Sequence, residues 1–136
     1  MPALTRAQYV AIAAFRYRLR RFLAFSEAAA SAVGLAPQQH QALLALAGHV
    51  GEEAPGVGAV AEALLIAPHS AAELVARMVE AGLLTKTRST RDRRKVDLRL
   101  TEQAEALLRT LTEAHLAELR TLGPALAEAI GTTGAG

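Results

Sequence analysis

Cysteine is absent from the 136 residues. Without a thiol there is no disulfide framework, no thiolate zinc site and no thiol redox switch. Aromatic residues are scarce, at 4%, while hydrophobic residues reach 51%. The apolar content is therefore mostly Ala, Leu and Val, which favours helices over a β-sandwich. Long apolar runs are also missing. Arg16, Arg18, Arg20 and Arg21 interrupt the stretch where a signal-type core would lie. Nothing approaches the roughly 18 apolar residues that a membrane helix needs. The expectation is one soluble, cytoplasmic domain, large enough to bury a core. Enzyme signatures are missing too: no Gly-rich phosphate loop after a strand, no nucleophile elbow and no His-Glu-x-x-His. Glu52 and Glu53 sit on a loop without a partner base. No enzyme and no cofactor are expected. The histidines at 40, 49, 69 and 115 lack a compact ligand spacing, so no metal site is expected.

What is present is a concentration of positive charge. The net charge is only +2, but Lys86–Arg99 holds seven bases and two acids, a local charge of +5. The other eight bases and eleven acids leave −3 elsewhere. Such an asymmetry is the footprint of a polyanion-binding segment, although a solvated basic loop would look the same by charge alone.

The pattern of apolar residues gives the order of elements. Leu4 to about Val33 repeats by threes and fours and reads as a long helix stopped by Gly34. Pro37 opens a second helix that Gly48 ends. Gly51–Gly58 reads as a loop. A short helix with Val60, Ala61, Leu64 and Leu65 on one face precedes Ala67–Pro68. The next helix starts at Pro68, or at Ser70 through a Ser70–Glu73 capping box, and buries Ala71, Leu74, Val75, Met78 and Val79. Gly82 suits its C-terminal end. The period then changes to two. Leu83–Arg88 and Val96–Thr101 read as the strands of a β-hairpin around the polar loop Ser89–Lys95. Thr101 is a natural N-cap for a helix with Leu108, Leu111, His115, Leu119 and Leu122 on one face. Gly123–Pro124 is expected to break it before a short last helix, Ala125–Ile130, and a flexible tail, Gly131–Gly136.

The fold class is therefore mostly α with one small β-hairpin, in the order of a winged helix-turn-helix. Two short helices joined by a tight turn place the second where it can enter a major groove. A basic hairpin directly after it reaches the flanking backbone or minor groove.

Three stretches carry a closer resemblance: HSAAELVARMVEAGLL at His69–Leu84, RDRRKV at Arg91–Val96 and LRLTE at Leu98–Glu102. Together they resemble the DNA-binding core of the MarR family of winged helix-turn-helix regulators. The resemblance implies a core over 37–101 within a single domain of 1–136, with dimerisation helices at 4–33 and 102–130. It implies a homodimer on a pseudo-palindromic double-stranded DNA operator, usually a repressor, often released by a small-molecule effector. Asp92 and Arg94 match the wing's Asp-x-Arg, whose Arg enters the minor groove while the Asp helps to hold it. Ser70 and Arg77 match positions that meet DNA, with His69 and Glu73 close by. Arg88, Arg91, Arg93 and Lys95 are the candidates for phosphate contacts.

Two features depart from the family. The wing begins Ser89-Thr90-Arg91 where Asp-Pro-Arg is common, so its tip is expected to be more mobile. The recognition helix offers Ala71, Ala72 and Ala76, which carry no polar group and can at most touch a thymine methyl. Each residue also has a plainer reading. Arg77 can pair with Glu73 or Glu80 at helical spacing. Ser70 can serve as a cap. His115, on the inward face, suits a polar contact in the core or at a dimer seam. Arg16, Arg18, Arg20 and Arg21 fit a solvated helix face. The rival function is a winged-helix module for protein–protein contact, with the wing meeting an acidic partner and no specific DNA site.

Overall fold

The structure, a computed structural model, describes residues 3–134. Its elements are α1 (Arg6–Ala32), α2 (Pro37–Ala47), α3 (Val57–Leu64), α4 (Pro68–Glu80), β1 (Leu84–Arg88), β2 (Val96–Leu100) and α5 (Glu102–Gly134). They divide into two compact units, one of residues 30–110 and one of residues 1–29 with 111–136.

The unit of residues 30–110 holds the main core. α2, α3 and α4 pack on one another, and the antiparallel β1–β2 hairpin packs against α2 and α4. Leu43, Met78, Leu84 and Leu98 are fully enclosed. Each such side chain stabilises the unit by about 1.5–3 kcal/mol relative to exposure.

Helix ends decide where the working surfaces lie. α4 begins at Pro68, with Ala67 in the extended N-cap position and no side-chain cap. Proline suits this place because its missing N–H would be unpaired anyway and its φ is already helical. The Ser70–Glu73 box therefore does not form, and Ser70 is half-buried in the first turn. At the other end, Gly82 adopts φ +77°, Leu83 N–H donates to Met78 O at 2.9 Å, and Gly82 N–H donates to Val79 O at 3.1 Å. This left-handed turn throws the chain directly from α4 into β1. α3 ends with the same pair of hydrogen bonds, but a leucine takes the left-handed position: Leu65 has φ 56° and is 92% exposed. The expectation that Leu65 shares the buried face of Val60 and Ala61 is thus corrected. The helix has already ended at Leu64, and the turn points Leu65 to solvent.

In the second unit, α1 starts with a capping box: Gln8 N–H donates to Thr5 Oγ1 and Thr5 N–H to Gln8 Oε1. His115 is held inside. Leu111 O can only accept, so Nδ1 at 2.6 Å must donate to it. In the neutral ring Nε2 is then the acceptor for the buried Ser26 hydroxyl at 2.8 Å. Phe22 and Phe25 lie against the imidazole, with ring centroids 5.6 and 5.2 Å away.

The expected break at Gly123–Pro124 does not occur; α5 runs through Pro124 to Gly134. There are therefore not two last helices but one, and Gly131–Gly134 of the expected tail is helical. Two things allow this. Gly123 has no Cβ to clash with the ring of Pro124. The inward residues also keep their spacing across the break: Leu111, His115, Glu118, Leu122, Ala125 and Ala129 are buried or half-buried at alternating steps of four and three. Burial on both sides offsets the hydrogen bond that Pro124 removes. Leu119, expected on this inner face, lies outside it at 42% exposure. The remaining tail residues, 135 and 136, lie outside the described residues. No single helix among the described residues is long and apolar enough to cross a membrane.

Candidate nucleic-acid interface

The outer face of α4 carries His69, Ala72, Glu73, Ala76, Arg77 and Glu80, all exposed at helical spacing, with Ser70 half-buried beside them. Arg77 Nη2 stands 3.9 Å from Glu73 Oε2, and both side chains are largely in solvent. This i,i+4 pair is weak. It nonetheless sets a carboxylate beside Arg77, the arginine of this face.

The wing contrasts with it. Register pairs Leu84 with Leu100, Lys86 with Leu98 and Arg88 with Val96. Strand alternation buries Leu84 and Leu98 and turns Arg99 outward. Lys86, Arg88, Arg91, Arg93, Arg94 and Lys95 are exposed as well. Ser89 builds the tip. Its N–H donates to Lys95 O at 3.0 Å, and its hydroxyl oxygen accepts the N–H groups of Arg91 and Asp92, each at 3.2 Å. A serine at the first position of such a turn satisfies backbone donors much as an aspartate would. The tip is closed by these bonds without the proline.

Asp92 and Arg94 form a clasp. Arg94 N–H donates to Asp92 Oδ1 at 3.0 Å, Nε to the same oxygen at 3.1 Å and Nη2 to Oδ2 at 3.3 Å. The guanidinium and then the backbone N–H of Arg94, with Lys95 adding attraction, hold the Asp92 carboxyl below its ordinary pKa; partial desolvation works the other way. The Arg94 side chain is nevertheless 90% exposed. Its guanidinium is oriented and still presented outward, so it can offer its remaining donors to an acceptor in a groove.

Two further attachments were not legible in the sequence. Leu98 N–H donates to Pro55 O at 2.9 Å, so the loop before α3 pairs with the free edge of β2. A Cβ on Gly56 would come within 2.8 Å of Val96 O, so only glycine lets the loop approach so closely. The same loop brings Glu53 Oε1 to 3.6 Å from Arg91 Nη1. The Gly-Pro content of this loop signalled a turn, but not its partner. On the other side, Thr101 Oγ1 donates to Gly82 O at 2.7 Å and accepts from Ala104 N–H at 3.2 Å. One hydroxyl thus caps α5 and ties the hairpin to the end of α4.

His69, Ser70, Glu73 and Arg77 therefore share α4, and Arg88, Arg91, Asp92, Arg93, Arg94 and Lys95 share the wing. No group of three or more His, Cys, Asp or Glu that could hold a metal ion occurs among the described residues.

Residues 33–95 match the MarR family. No curated protein sequence matches the chain. Solved structures are similar in fold. AbsC, a MarR family transcriptional regulator from Streptomyces coelicolor, is 21% identical with TM-score 0.70, over 93% of this chain and 84% of that one. A MepR variant from Staphylococcus aureus bound to an oligodeoxyribonucleotide is 17% identical with TM-score 0.66, over 81% and 79%. BpsR from Bordetella bronchiseptica, whose DNA binding is regulated by 6-hydroxynicotinic acid, is 22% identical with TM-score 0.61, over 79% and 74%. Residues 33–95 thus match the MarR family model, and the fold that carries them is like that of solved MarR family structures.

Proposed function

We propose that the chain is a homodimeric regulator that binds double-stranded DNA at a pseudo-palindromic operator and represses transcription until a small molecule releases it. α4 enters the major groove, and the wing places Arg94 in the adjacent minor groove. The role is binding rather than catalysis. One observation carries this reading: Arg94 is oriented by Asp92 yet 90% exposed, at the tip of a basic hairpin tied by Thr101 to the end of α4. A guanidinium held in that way loses little freedom on entering a narrow groove, where negative potential is focused.

Dimerisation is supported by the unit of residues 1–29 and 111–136. It leaves Tyr9, Val10, Ile12, Tyr17 and Leu23 of α1 and Leu116, Leu119, Leu126 and Ile130 of α5 at least 42% exposed. So much apolar surface on two long helices fits burial against a second copy. The oligonucleotide on MepR and the 6-hydroxynicotinic acid response of BpsR support the DNA and effector parts by likeness.

The test is a salt titration of duplex binding, comparing the region upstream of the protein's own gene with a scrambled duplex. The expected result is tighter binding to the upstream region, with affinity falling steeply as salt rises. Equal, weak affinity for both duplexes would instead favour a protein–protein module.

A further inference from the structure

The acidic loop before α3 faces the wing. Glu53 and Arg91 approach to 3.6 Å although both side chains are 65% exposed. The backbones beneath them are pinned. Pro55 O accepts the Leu98 N–H, Gly56 lies against Val96 O, and Ser89 Oγ accepts the Arg91 N–H. The cleft between loop and wing, about 670 Å³, is lined by Glu52, Glu53 and Glu62 from the loop and α3 and by residues of the hairpin that include Arg91, Lys95 and Asp97. Arg94 is paired within the wing itself. Among the described residues, Arg91 is the wing base whose ion-pair partner comes from outside the hairpin.

We propose that Glu53 is an internal competitor for the phosphate that Arg91 would otherwise hold, and so sets how much of the wing's charge is available to DNA. This rests on the DNA-binding reading above. A carboxylate and a phosphate are both anionic acceptors that a guanidinium binds through the same N–H groups. Arg91 cannot serve both in full, so part of the phosphate contact is offset by loss of the Glu53 pair. The pair is solvent-exposed and therefore weak. It attenuates binding by a graded amount rather than blocking it. Because phosphates carry no sequence information, the attenuation acts equally on all duplexes.

The full chain and its Glu53→Gln, Arg91→Ala and doubly substituted forms, each confirmed folded by circular dichroism, are titrated with a fluorescein-labelled upstream duplex and a scrambled one over a salt series. Glu53→Gln is expected to bind both duplexes about two- to fivefold more tightly, the range of one exposed ion pair. Its log K against log salt slope should steepen by about one. Arg91→Ala should weaken binding and flatten that slope by about one. In the Arg91→Ala background, Glu53→Gln should change nothing, because its effect runs through that guanidinium. Unchanged or weaker binding by Glu53→Gln overturns the proposal. So does a gain that persists in full without Arg91, which would mark Glu53 as a general repulsive charge. A parent chain without salt-dependent duplex binding overturns the DNA-binding reading itself, and this inference with it.

Discussion

α4 and the wing are neighbours in the chain, joined at Gly82 and tied by Thr101, yet they are built for different work. The outer face of α4 mixes Ala72 and Ala76 with His69, Glu73 and Glu80, and its Arg77 is partly offset by Glu73. The wing concentrates bases, and its one well-placed acid, Asp92, orients Arg94 rather than cancelling its exposure. Base edges are read by placed donors and acceptors, whereas the backbone is held by charge. On the DNA-binding reading proposed above, the contrast would put most of the backbone grip in the wing and leave base reading to α4.

The largest expected effect tests that division directly. Arg94→Ala should weaken duplex binding by about 1–3 kcal/mol, while Arg77→Ala should cost less than about 1 kcal/mol. Fluorescence anisotropy at moderate salt measures both; a reversed order would move the grip to α4. Next comes the seat of the wing. Gly56→Ala forces a Cβ against Val96 O, and urea denaturation should show a loss of about 1–3 kcal/mol. An unchanged midpoint would mean the loop can move aside without disturbing β2. The smallest effect concerns pH. The folded Asp92 pKa is depressed, so the clasp's contribution is present above the ordinary carboxylate value and is lost only as pH falls through the lower folded value. In a carboxyl NMR titration, Asp92 should therefore protonate below an ordinary aspartate, and Arg94→Ala should raise its midpoint. A midpoint that Arg94→Ala leaves in place would show that the carboxylate is held by something else.

Much of this architecture was legible from periodicity and end signals. The change from a period near 3.6 to a period of two located the hairpin between Gly82 and Thr101. The charge on Lys86–Arg99 marked the wing, whereas the Asp92–Arg94 pair was implied only by the resemblance of RDRRKV to the MarR wing. The misreadings share one cause. Gly123–Pro124 is a helix breaker by local rules, and Leu65 continues an apolar pattern by local rules. In both places the outcome depended on surroundings: burial of Leu122 and Ala125 carried α5 across the proline, and the turn after Leu64 turned Leu65 outward. Leu119 was misplaced for a similar reason, since apolar residues occupy two faces of α5 and composition alone does not say which is inside.

The sequence by itself determined the order of the helices and the hairpin, where positive charge accumulates and which side chains lie within a few residues of one another. Those are local matters of dihedral preference, spacing and composition. Only the tertiary structure decided that the Pro55–Gly56 backbone lies on β2, that Glu53 reaches Arg91 and that Ser26 meets His115 across 89 residues of chain. Such contacts depend on the packing of distant segments, and sequence spacing carries no signal for them.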